Sequence, residues 1–216
     1  LGSAGGGGDM GSSAISGGGG GASGGGGGGA ADSNATSGPP SPGAQGALDR
    51  ARGMLGLNEH SNTAEINKVT QESGINSSTT PWCAAFASYC YRKAYEELGI
   101  PLPVAPKANV SGMCAVMQRI DRLLPGADVF DSDRQLLKGR QSTPGPGDFV
   151  LFNNHVALLR GIDTEGRIHT IEGNTYAFTD TRRPQRKVWG IFCKSYSAEK
   201  NPERWTDLKF GLSASR

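Results

Sequence analysis

Twenty of the 34 glycines in this 216-residue chain fall within residues 1–46, and that partition decides what can fold. The same stretch has no Lys, Arg or aromatic residue, and Asp9 and Asp32 are its only charges. It offers too little apolar surface to offset the entropy of ordering a backbone, so residues 1–46 are expected to form a disordered Gly/Ser-rich linker or tail. Residues 47–216 hold the other 14 glycines, an ordinary share, and are long enough for one domain with its own core.

Charge and cysteine content narrow the classes further. All 22 Lys and Arg lie in residues 47–216 against 18 of the 20 acids, a balance of +4 without the dense basic stripe of a nucleic-acid binder. No run of about eighteen apolar residues is present, so no membrane-spanning helix is expected. The chain opens without a basic region followed by an apolar stretch, so no signal peptide is visible, and its start at Leu1 reads as a fragment or processed product of a longer protein. Cys83, Cys90, Cys114 and Cys193 match no zinc or redox spacing, and most are expected to be reduced and buried. Asp128, Asp131 and Asp133 cluster in a turn that could hold Ca2+, but they lack the glycine and terminal glutamate of an EF-hand loop. A solvated acidic turn is the plainer reading, and no metal site is expected.

The elements follow from spacing. Leu48, Ala51 and Leu55 predict a helix closed by Gly56, and Ile66 and Val69 a second over Ala64–Glu72. Thr80 is suited to cap a third helix with Pro81 in its first position. Phe86, Cys90, Ala94 and Leu98 carry that helix on at four-residue steps to Gly99. Met113–Leu124 again has helical spacing. After Gly147 the period changes to that of strands: Asp148–Phe152, His155–Arg160, Arg167–Asn174 and Lys187–Phe192. The class expected is α+β, N-terminal helices packed on an antiparallel meander.

Within that frame four residues carry chemistry. Cys83 lies in the first turn of the third helix, where free N–H groups and the helix dipole favour a thiolate. A buried structural thiol is the bland alternative, and Cys90, two turns deeper, is read that way. His155 starts a strand. If Ile162 pairs with Arg167 across the next turn, His155 stands opposite Asn174, with Glu172 one diagonal step away on the same face. A thiol, an imidazole and a polar group to orient it are the parts of nucleophilic acyl transfer, and the Cys83 N–H is a natural oxyanion donor.

Thr80-Pro81-Trp82-Cys83-Ala84-Ala85-Phe86, Pro146–Phe152, His155-Val156-Ala157-Leu158 and Ile171-Glu172-Gly173-Asn174 together resemble a CHAP domain, the papain-like cysteine amidases and peptidases that cut the peptide part of peptidoglycan. The resemblance covers roughly residues 47–195, with its four blocks in the expected order. It implies a papain-like fold, Cys83 as nucleophile, His155 as general base and acid, Glu172 to orient His155, and Asn174 as a second polar partner. No metal or organic cofactor is implied. Peptidoglycan is the implied partner, through either the muramoyl–L-alanine amide or a bond of the stem or cross-bridge, and the implied setting is secreted, periplasmic or virion-associated. Trp82 could line the groove or pack in the core. Arg182, Arg183, Arg186 and Lys187 could meet anionic wall polymer or form a solvated loop. Two other classes stay open: a cysteine hydrolase or effector acting on protein, and a non-catalytic wall-binding module.

Overall fold

Ser41 starts the first element, inside the segment expected to be linker. Its hydroxyl accepts from the Ala44 N–H at 3.3 Å, Pro42 occupies the first turn, and helix α1 runs Pro42–Gly53. The ordered chain therefore begins before residue 47. Glycine here serves packing rather than flexibility, since a Cβ on Gly43 would lie 2.1 Å from the Tyr95 ring on the third helix. Small residues let the two helices approach, and Ala44, Ala47, Leu48 and Ala51 are fully buried. The computed structural model describes residues 39–77, 79–103, 107–133, 136–137, 143–178 and 187–213; residues 1–38 of the expected linker lie outside the described residues.

Helix α2 is Thr63–Gln71, burying Ile66 and Val69 as its period predicts. Helix α3 is Cys83–Leu98, closed by Gly99 in the left-handed conformation (φ 66°). Its start corrects the expected cap. Trp82, not Thr80, precedes the first turn, with non-helical backbone (φ −117°, ψ 18°) and no side-chain cap. Cys83 thereby becomes the first helical residue. Helix α4 is Val110–Arg119, begun early because Asn109 Oδ1 accepts from the Gly112 N–H at 2.7 Å. It stops short of Leu124: Asp121 takes a positive φ of 54°, and Leu123–Pro125 becomes strand β1.

The remaining strands are β2 (Phe149–Phe152), β3 (His155–Ile162), β4 (Ile168–Phe178), β5 (Lys187–Tyr196) and β6 (Lys209–Gly211). Among the described residues they form a six-stranded antiparallel sheet with β1 in the order β1-β6-β2-β3-β4-β5. The central meander is the expected one; β1 and β6, three residues each, are too short to show alternation. Both faces of the sheet are covered. Phe149, Leu151, Val156, Leu158 and Ile171 pack with the helices, while Val150, Phe152, Ala157, Leu159 and Ile168 pack with Phe130, Trp205 and Phe210. Burial on both sides is why β2 reads as an unbroken apolar run. Asp148, fully buried beside it, accepts from the Gly145 and Ser213 N–H groups at 2.8 Å each and fastens the C-terminal segment.

All four cysteines are free. Cys83 and Cys90 are buried, Cys114 is half-buried and Cys193 is exposed, so fewer are sequestered than expected. Burial pushes the Cys90 thiol far up, as suits a core residue. Among the described residues no helix is long and apolar enough to cross a membrane.

Candidate active site

Two features of the β3–β4 hairpin set the position of His155. The turn closes on Ile162 opposite Ile168, one residue away from the expected pairing with Arg167. An irregularity between Leu159 and Gly161 then shifts the register back, giving Leu159 opposite Thr170 and Leu158 opposite Ile171. At Leu158 and Leu159 the hairpin thus has the register that an Ile162–Arg167 pairing would have given, reached by two offsets that cancel.

His155 meets Glu172 directly. Its Nε2–H donates to Glu172 Oε2 at 2.9 Å, because a carboxylate only accepts. That leaves Nδ1 as the nitrogen toward Cys83, whose sulfur has the His155 ring and the backbone N–H groups of Val156 and Ala84 as hydrogen-bond partners. Glu172 is fully buried, and its second oxygen accepts from Thr170 Oγ1 at 2.7 Å and from the Tyr196 hydroxyl at 2.8 Å. These two hydroxyls were not anticipated. Thr170 was visible as a same-face neighbour two residues before Glu172, whereas Tyr196 lies beyond the expected end of its strand.

The electrostatics set the protonation states. Burial pushes the Cys83 thiol up, but the hydrogen bond and charge of His155 and the two backbone N–H groups outweigh it and hold the thiol below its ordinary value. Burial would likewise depress His155, yet its bonds to Cys83 and Glu172 lift it to about 9. Burial raises Glu172, and His155, Thr170 and Tyr196 together bring it below the usual carboxylate range. Burial and the Glu172 charge push the Tyr196 phenol well above its usual value, so it stays a donor. The arrangement supports a thiolate–imidazolium pair backed by a carboxylate, the reactive form of a cysteine nucleophile.

Asn174 and Trp82 take other places. The strand departs from regular pairing between Glu172 and Thr175, and Asn174 occupies that irregularity with a left-handed φ of 52°. Its side chain makes no hydrogen bond to His155, so it shapes backbone instead of orienting the ring. Trp82 is fully buried, edge-on to Phe86 at 6.5 Å, and its indole N–H donates to Glu59 Oε1 at 2.7 Å. It lines no groove.

The other histidine on the sheet has partners in suggestive order: His169 Nδ1 lies 2.7 Å from Ser195 Oγ and Nε2 lies 3.0 Å from Asp163 Oδ2. Asp163 is however spent on the turn, accepting from Arg167 Nε at 2.7 Å and from the Glu165 and Arg167 N–H groups at 3.0 and 2.9 Å. This cluster fastens the hairpin. Asp131 accepts from the Asp133 N–H at 2.9 Å, and among the described residues no group of three His, Cys, Asp or Glu is arranged to hold a metal. Arg182, Arg183 and Arg186 lie outside the described residues; Lys187 places its ammonium 3.7 Å from the Tyr176 ring centre. A cavity of about 580 Å³ between Pro125, Phe130, Trp205 and Lys209 is reached by none of Cys83, His155 and Glu172.

Comparison with models of protein families, with curated proteins and with solved structures finds no match in any of the three, so function rests on the site itself.

A Glu172→Gln variant tests the carboxylate. Its amide would place either an N–H against the His155 Nε2–H or a neutral oxygen where the charge stood. Turnover is expected to fall about 10²- to 10⁴-fold, and deprotonation of His155 to move below about 9. An unchanged pH profile would reduce Glu172 to a structural role.

Proposed function

We propose that the protein is a peptidoglycan hydrolase, a cysteine amidase or endopeptidase with a papain-like CHAP fold acting on the peptide part of the cell wall. The observation that carries this reading is Cys83 as first residue of α3, in contact with a His155 whose far nitrogen donates to buried Glu172. Three of the four sequence blocks that resemble the family carry those residues, and the substrate class follows from the resemblance.

The chemistry balances with no cofactor. The Cys83 thiolate attacks the amide carbonyl carbon, forming a C–S bond, and the oxyanion is met by the N–H of Cys83, one of the unpaired donors at the helix start. The C–N bond breaks as the His155 Nδ1 proton passes to the leaving amine. His155 then takes a proton from water, the hydroxide attacks the thioester, and C–S cleavage returns the thiolate and releases a carboxylate. A substrate of this kind places the protein outside the cytoplasm, whether secreted, periplasmic or virion-associated, with peptidoglycan as its partner.

The test is digestion of purified peptidoglycan with mass-spectrometric identification of products, alongside the Cys83→Ala protein. New products from the unaltered chain alone support the reading and name the bond. No products, with Cys83 still alkylating rapidly, would move the substrate to another class. The rate should be bell-shaped in pH. Below the lowered pKa of Cys83 the thiol is protonated and attack stops; above about 9 His155 has lost the proton it must give the amine.

A further inference from the structure

Two cations flank the hydroxyl donors to Glu172. Lys194 lies directly opposite Thr170, whose hydroxyl donates to Glu172, and its Nζ donates to the Tyr176 carbonyl at 2.6 Å. The Arg204 guanidinium lies 5.1 Å from the Phe152 ring centre and 5.4 Å from that of Tyr196. Tyr196 is the other hydroxyl donor to Glu172, and the Phe152 ring stacks on His155 at 6.4 Å. Each cation therefore rests on residues that hold the site together.

Both side chains are half-buried, and among the described residues neither forms an ion pair. The hydrogen bonds to Glu172 come from His155, Thr170 and Tyr196, so it acts on Lys194 through its charge and not by a direct bond. Lys194 and Tyr196 alternate along β5 and so project from one face of the sheet, and the Arg204 guanidinium lies against the Tyr196 ring on that face, which makes the two cations neighbours. Burial and the Arg204 charge push the Lys194 ammonium down against the pull of Glu172. Like charges held together half out of water are unfavourable until an anion arrives. An Arg fork and a Lys point charge together fit a carboxylate.

We propose that Lys194 and Arg204 form an anion subsite that reads a carboxylate carried by the substrate near its scissile amide. This rests on the hydrolase reading and names the kind of peptide it selects, an acidic one over its amidated form.

The experiment compares muropeptides bearing free stem carboxylates with the same muropeptides amidated, using the unaltered protein and the variants Lys194→Met and Arg204→Met, which keep an apolar stem. The acidic form should be cleaved with about 10-fold or more higher kcat/KM, and each variant should lose several-fold more on the acidic form than on the amidated one. Equal losses on both forms, as a purely structural role would give, or no preference in the unaltered protein, overturn the subsite while leaving the hydrolase reading intact. If neither form is cleaved, the hydrolase reading fails, and the subsite is judged by alkylation of Cys83 with iodoacetate against iodoacetamide. A ratio that falls in the variants supports the subsite; an unchanged ratio overturns it.

Discussion

The Cys83→Ala protein is expected to lose peptidoglycan hydrolysis by at least about 10⁴-fold while keeping its fold. The sulfur is the atom that bonds to carbon, and the neighbouring donors and imidazole have nothing to activate once it is gone. Residual turnover would come only from water oriented by His155 and the helix-start N–H groups. Folding should survive because alanine is a good helix residue at this position, and the Glu172 network with His155, Thr170 and Tyr196 remains complete. Product release by mass spectrometry and circular dichroism check both halves. Hydrolysis above a tenth of the original rate would mean that Cys83 is not the nucleophile.

Gly173→Ala should do its damage through structure. A Cβ at this position would lie 2.5 Å from Phe86 Cβ and 2.8 Å from Trp82 Cζ3, and both side chains are fully buried with nowhere to retreat. The glycine lets β4 pass directly against the start of α3, which is what brings Glu172 and Cys83 to the same His155. Overpacking of this kind costs about 2–3 kcal/mol. For a chain of this size that lowers Tm by roughly 4–12 °C. Because the displaced segment carries Glu172, turnover should fall well beyond what the loss of folded protein explains. A Tm within 2 °C or so of the original would contradict the contact.

Cys83, His155 and Glu172 were legible because each depends on local pattern: a helix start, a strand start, and alternation along one strand. What escaped depends on distant pairing. Tyr196 reaches Glu172 from a strand whose apolar alternation fades after Phe192, and Trp82 is sealed by a hydrogen bond to Glu59, 23 residues away. Asn174 was placed by assuming regular pairing where the strand in fact breaks step after Glu172. The start of α1 was hidden by composition: Gly43 and Gly46 count as linker until α3 supplies the surface that needs them small. The hairpin register came out as expected at Leu158 and Leu159 although its closing pair was off by one, which shows how a single irregular residue can rescue or ruin such an inference.

The proposed chemistry stands most directly on the ionisation of one thiol. Thiolate absorbance in the ultraviolet, titrated for the unaltered protein and for Cys83→Ala, isolates Cys83 by difference, since burial holds Cys90 and Cys114 above the ordinary thiol value. Cys83 is expected to titrate below that value and to move up when His155 is replaced by alanine, because the ring's hydrogen bond and charge are what overcome burial. A Cys83 that titrates above the ordinary value, or that ignores the loss of His155, would contradict the thiolate–imidazolium pair and with it the proposed chemistry.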